Sequence, residues 1–112
     1  MADRALPLAR VRVDENTAAV NEIVAGVTGY SVVLIALAVG AHGAVDVSIT
    51  DSDGTVLMGP IPMEAEDQLV LPQCGPGWCA STSGQGLAIQ LSAGVQVAGG
   101  IVYRLVPSHF EL

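Results

Sequence analysis

The chain contains no lysine, and its only cationic side chains apart from two histidines are four arginines, three of them within the first twelve positions. Against eleven acidic residues the formal net charge is −7. That balance repels phosphate, so the sequence argues against a nucleic-acid partner and against anionic membrane surfaces. Charged residues of both signs make up 13% of the chain, roughly half the usual share. Such a sparsely charged exterior suits a protein that covers part of its surface with other subunits.

Aromatic residues are also scarce, at 4% against an apolar content of 51%. The apolar volume therefore comes from Val, Ala, Leu and Ile, which pack into thin sheets. Several catalytic signatures are missing. There is no Gly-x-Ser-x-Gly elbow. Ser83-Gly84-Gln85-Gly86 lacks the lysine of a phosphate loop. His42 sits in a Gly-rich turn and His109 near the end of the chain, neither beside a nucleophile. No enzyme activity and no cofactor is expected. The longest apolar run, residues 30–41 (YSVVLIALAVGA), is too short to cross a bilayer, so no membrane partner is expected. The first 16 residues hold no apolar core of leader length, and synthesis in the cytoplasm follows as the expectation.

With 112 residues, one domain is the default. Thirteen glycines and six prolines divide the chain into short segments, and most of these alternate with a period of two. Alternation places successive side chains on opposite faces of a strand. Leu87, Ile89 and Leu91 fall on one side, then Val95, Val97, Ile101, Tyr103 and Leu105 on one side of the next run. The two runs, turning at Ala93-Gly94, are expected to form an antiparallel hairpin. Val45, Val47 and Ile49 are expected inside, with Asp46 and Ser48 outside. Residues 30–39 read as a central strand covered on both faces. Residues 17–25 fit a helical face through Val20, Ile23 and Val24 or an alternating strand through Val20, Glu22 and Val24, the strand being favoured; further strands are expected at 55–58, 68–71 and 78–82, with an edge or bend at Gly59, Pro60 and Pro62. About eight short strands at this spacing predict an all-β fold, an antiparallel two-sheet sandwich with a jelly roll among the arrangements it allows. Residues 1–16 are expected to be an N-terminal arm in which 10–14 can form an edge strand, 17–107 the sandwich and 108–112 a C-terminal tail.

Asp51-Ser52-Asp53-Gly54 starts like a calcium loop, but the position that should supply the closing glutamate is Pro62. It is expected to be a hairpin turn with Gly54 at positive φ. Glu64, Glu66 and Asp67 read as a solvated acidic loop. Cys74 and Cys79 are one pair where a zinc site normally needs two. They fit either a local disulfide or two free thiols. Trp78, the single tryptophan, is expected to plug one end of the core. Arg4, Leu6, Leu8, Arg10 and Arg12 are the candidate contacts to a neighbouring subunit or shell, since arginine suits carboxylate partners.

The ordered series Val24-Ala-Gly-Val-Thr-Gly29, Gly43-Ala-Val-Asp-Val47, Leu57-Met-Gly-Pro-Ile-Pro62, Leu69-Val-Leu-Pro72, Gly77-Trp78, Thr82-Ser-Gly-Gln-Gly-Leu87 and Val95-Gln-Val97 resembles small β-sandwich virion proteins of tailed bacteriophages. Residues 72–79, with their two cysteines, depart from that pattern. The resemblance implies a capsid decoration, or cement, protein on the outside of the head, with the major capsid protein and further copies of itself as partners, the latter as a homotrimer. A tail-tip or fibre module recognising a host receptor or glycan is the alternative on the same scaffold.

Overall fold

The computed structural model describes residues 7–107, and they form nine strands and no helix. These are β1 (Ala9–Glu15), β2 (Val20–Val24), β3 (Tyr30–Ala41), β4 (Val45–Asp51), β5 (Val56–Met63), β6 (Gln68–Leu71), β7 (Cys79–Ala80), β8 (Leu87–Leu91) and β9 (Val97–Pro107). The first sheet has the order β1-β9-β3-β6, with β7 also paired to β3; the second has the order β2-β8-β4-β5. All pairs are antiparallel. Strands β1 to β4 alternate between the sheets, and the later strands run back against them: β5 on β4, β6 on β3, β8 on β2 and β9 on β1. With the two-residue β7 set aside, this is an antiparallel ribbon rolled on itself, the pairing of a jelly roll.

Alternation decides which side chains meet between the sheets. Val32, Leu34, Leu37, Val39, Val97 and Ile101 from the first sheet pack with Val47, Ile49, Leu87, Ile89 and Leu91 from the second, all nearly inaccessible. Burying each such side chain contributes about 1.5–3 kcal/mol before the cost of ordering the chain. The inner parity of β3 switches at Ile35, where the β3–β9 register shifts by one residue. This bulge lets Leu34 and Leu37 both face the core although they are three positions apart.

Most strands fall where alternation puts them, and β6 matches its expected bounds. Val20–Val24 is a strand, and Gly54 has φ 94° in the β4–β5 turn. Four expectations change. Leu87–Leu91 and Val97–Pro107 are not a hairpin, because β8 lies in the second sheet and β9 in the first. The small residues between them carry the chain across the core, and the two runs bury apolar side chains from opposite sides. Within residues 1–16, Ala9–Glu15 is a sheet strand rather than part of a free arm: it pairs with β9 along its whole length and buries Val13 completely. Strand β5 continues through Pro60 and Pro62 instead of ending at Met58, because it is the edge of its sheet and needs no ladder on its far side. Finally, β3 is central but open on the outer side of its second half, where Ala36 is half-buried and Ala38 exposed, while Val33 and the buried Ile35 pack beside Gly77.

The pairing of β3 with β9 depends on Gly99, where a Cβ would stand 1.9 Å from the Ala38 carbonyl oxygen and 2.7 Å from the Val39 Cα. Both obstacles are backbone and cannot rotate away. Gly99→Ala is expected to destabilise the fold by about 3 kcal/mol or more, the upper end for overpacking, read as a lower urea midpoint at unchanged slope.

Candidate protein-docking face

The register fixes which residues share the outer face of the first sheet. Arg10 lies opposite Val102, and Val102 opposite Ala36; Arg12 lies opposite Gly100, Gly100 opposite Ala38, and Ala38 opposite Val70. One row further, Asp14, Ala98, Gly40 and Gln68 align, and on the other side Arg104 aligns with Val33. Every arginine among the described residues is therefore on this one face.

Between the two lateral strands the face dips into an open trough of about 540 Å³. Its floor is Ala36 and Ala38 from β3 with Gly100 and Val102 from β9, its one rim Arg10 and Arg12, and its other wall Val70, Pro72 and Gln73. The depression exists because three of the four floor residues carry no side chain beyond Cβ. Val70 is 58% exposed, the most exposed large apolar side chain among the described residues. Arg12 forms an exposed 3.2 Å ion pair with Asp14, and Asp14 also accepts a 2.8 Å hydrogen bond from the Gln96 amide. An exposed pair of this kind contributes about 0–1 kcal/mol, so it orients Arg12 without fixing it. Carboxylates dominate elsewhere. Glu22 and Asp46 are exposed on the outer side of the second sheet, and Glu64, Glu66 and Asp67 form the β5–β6 turn.

Of the candidate contact residues, Arg10 and Arg12 thus come together on the rim, and Leu8 is exposed just before β1. Arg4 and Leu6 lie outside the described residues, as do His109 and Phe110. Arg104, Ala36, Ala38, Gly100 and Val102 were not singled out from the sequence. For Gly100, Val102 and Arg104 the signal is parity, opposite to the buried Val97 and Ile101 of β9; Ala36 and Ala38 share the phase of the buried Val32 and Leu34 and face outward only because of the bulge at Ile35, which leaves no local trace.

Other polar groups serve the fold. Asp51 is fully buried; its carboxylate accepts from the Thr82 hydroxyl at 3.0 Å and the Thr55 N–H at 3.2 Å, tying the end of β4 to the loop before β8. The Asp53 carboxyl is held below its ordinary value, first by the hydrogen-bonding Asp51 side chain beside it and then by the N–H and hydroxyl of Thr55. Among the described residues no group of three His, Cys, Asp or Glu side chains is placed to hold a metal ion.

Trp78 is not a core plug: it is 39% exposed, and its indole N–H donates to the Pro72 carbonyl at 2.9 Å. The backbone bonds from Trp78 N–H to Leu34 O and from Cys74 N–H to Ile35 O hold this loop against the edge of β3, outside the core. Cys74 and Cys79 are free thiols. Burial pushes the Cys79 thiol up from 9.0 to about 11.

No family model matches the chain, and no curated protein or solved structure matches it either.

Two outcomes are expected. Asp51→Ala removes a buried carboxylate that accepts from the Thr82 hydroxyl and shares the Thr55 N–H with Asp53, and the loss of these charge-assisted bonds should lower stability by about 1–3 kcal/mol in urea unfolding. Cys79 should resist alkylation at pH 8, because the thiolate is the reactive form. Its modification rate, followed by peptide mass, should rise until the pH reaches about 11. The raised thiol value favours the fold fully below pH 9.0, and that contribution is lost as the pH climbs towards about 11.

Proposed function

We propose that the protein is a structural virion component, a capsid decoration protein that binds the outside of a phage head and stabilises contacts between major capsid subunits. The observation that carries this reading is the open face of the first sheet, where a trough of small apolar residues is rimmed by arginines on an otherwise acidic molecule. A shallow apolar floor with arginine at its rim suits protein contact, since arginine pairs with carboxylates in a planar fork and is enriched at interfaces. The jelly-roll pairing adds support by analogy, because that architecture serves viral capsid and lectin domains. The ordered likeness to small phage virion proteins points the same way. On this reading the protein reaches its place on the capsid surface after synthesis in the host cytoplasm, carries no cofactor and performs no catalysis.

Purified protein should bind undecorated heads and raise the temperature at which they rupture. Failure to bind, or binding only at tail tips by electron microscopy, overturns the proposal.

Trp78 favours one rival, a tail module recognising a host glycan, because an exposed indole can stack on a sugar ring. A glycan-array signal abolished by Trp78→Ala would establish that reading instead.

A further inference from the structure

We propose that the outer face of the first sheet pairs two copies of this chain face to face about a two-fold axis, so that the arginine rim of each copy lies over the acidic β5–β6 turn of the other. This rests on the trough being a protein-docking surface, the feature that carries the proposed function, and names its occupant in the free protein: a second copy, in a two-fold pair rather than the homotrimer that the resemblance implies.

The complementary groups stand diagonally across one face, with Glu66 and Asp67 beside Gly40, Gln68 and Ala98 at its far end. Arg10 and Arg12 are on β1, at one lateral edge of the sheet. The turn Glu64–Asp67 enters β6 at the other lateral edge, three strand spacings or about 14 Å away. It is anchored to the far end of β3 by Glu66 N–H to Ala41 O at 2.8 Å and Ala41 N–H to Asp67 O at 3.0 Å. A two-fold axis lying in the interface, perpendicular to that diagonal, exchanges the two corners. Each arginine-to-carboxylate contact is then made twice, as an isologous interface requires.

The middle of the face is suited to the axis. Residues near a two-fold axis meet their own copies, so a charge there would face its like. The centre of the diagonal falls among Ala38, Gly40, Ala98 and Gly100, which carry no charge and no side chain beyond Cβ. Two such surfaces can approach at or inside the usual 10 Å separation of packed sheets. Val70 and Val102 on either side then lose exposure to water.

The acidic turn is already in its binding shape. Asp67 Oδ2 accepts from Glu64 N–H at 2.8 Å, and Asp67 N–H donates back to Glu64 O at 3.1 Å. Glu64 and Glu66 remain exposed and form no ion pair among the described residues. Little conformational entropy is lost when such a turn docks.

Sedimentation equilibrium on the full chain tests this. The wild-type protein should be a dimer whose dissociation constant rises with salt, since rim charges are screened. Arg12→Glu and Glu66→Arg should each weaken the dimer by about tenfold or more, with unchanged far-UV circular dichroism. A chain carrying both reversals should recover most of the wild-type affinity. A monomeric or trimeric wild-type mass, or singly reversed chains that dimerise like wild type, overturns the proposal. Head binding is read separately. A reversed, monomeric chain that still decorates heads leaves the decoration role standing, and a dimer that ignores heads leaves this pairing standing.

Discussion

The ladder between β3 and β9 is the constraint from which the rest of the molecule is arranged. It joins the two longest strands, and each of its faces has a different task. Inward, Val32, Leu34, Leu37, Val39, Val97 and Ile101 supply the first sheet's half of the core. Outward, the same two strands show Ala36, Ala38, Gly100 and Val102 to solvent. The ladder forms only because Gly99 lets the β9 backbone reach Ala38 and Val39. It keeps its inward face apolar along the full length only because the bulge at Ile35 resets the alternation. Strands β1 and β6 then attach on either side, bringing the arginines and Val70 to the borders of one shallow depression.

Rolling the ribbon also separates charge. Arg104 is far in sequence from Arg10 and Arg12, yet antiparallel pairing of β1 with β9 places all three on one side of one sheet. The acids at 22, 46 and 64–67 fall on the opposite sheet or at the strand ends. A net charge of −7 therefore conceals a molecule whose described arginines share one face. Net charge governs solubility and long-range repulsion, while the local distribution governs which surfaces meet. The sparse charge of the chain makes these few arginines more consequential, since few competing ion pairs are present to engage them.

Much of the fold was legible because burial leaves a local trace. Val45, Val47 and Ile49 alternate with polar neighbours, Gly54 marks a turn that needs positive φ, and the prolines of β5 mark an edge. Strand partners leave no such trace. Leu87–Leu91 and Val97–Pro107 show the same period whether they pair with each other or face one another across a core, so the nearer partner was expected and the farther one formed. The apolar run at 30–41 was similarly ambiguous: alanine and glycine lengthen it, but on the outer side of β3 they produce a depression instead of a covered layer. Trp78 was expected inside on account of its size. The backbone bonds of its loop to Leu34 and Ile35 set it at the edge of the sheet.

Local periodicity and turn chemistry by themselves determined that the chain is built of strands, where most of them run and most of the aliphatic side chains that form the core, because these depend on neighbours two residues apart. The assignment of strands to sheets, the bulge that reverses parity in β3, and the gathering of Arg104 with Arg10 and Arg12 beside a trough of small residues were decided only in the tertiary structure. Those features depend on hydrogen-bonded partners up to about ninety positions away, and a one-dimensional pattern carries no record of which partner will be chosen.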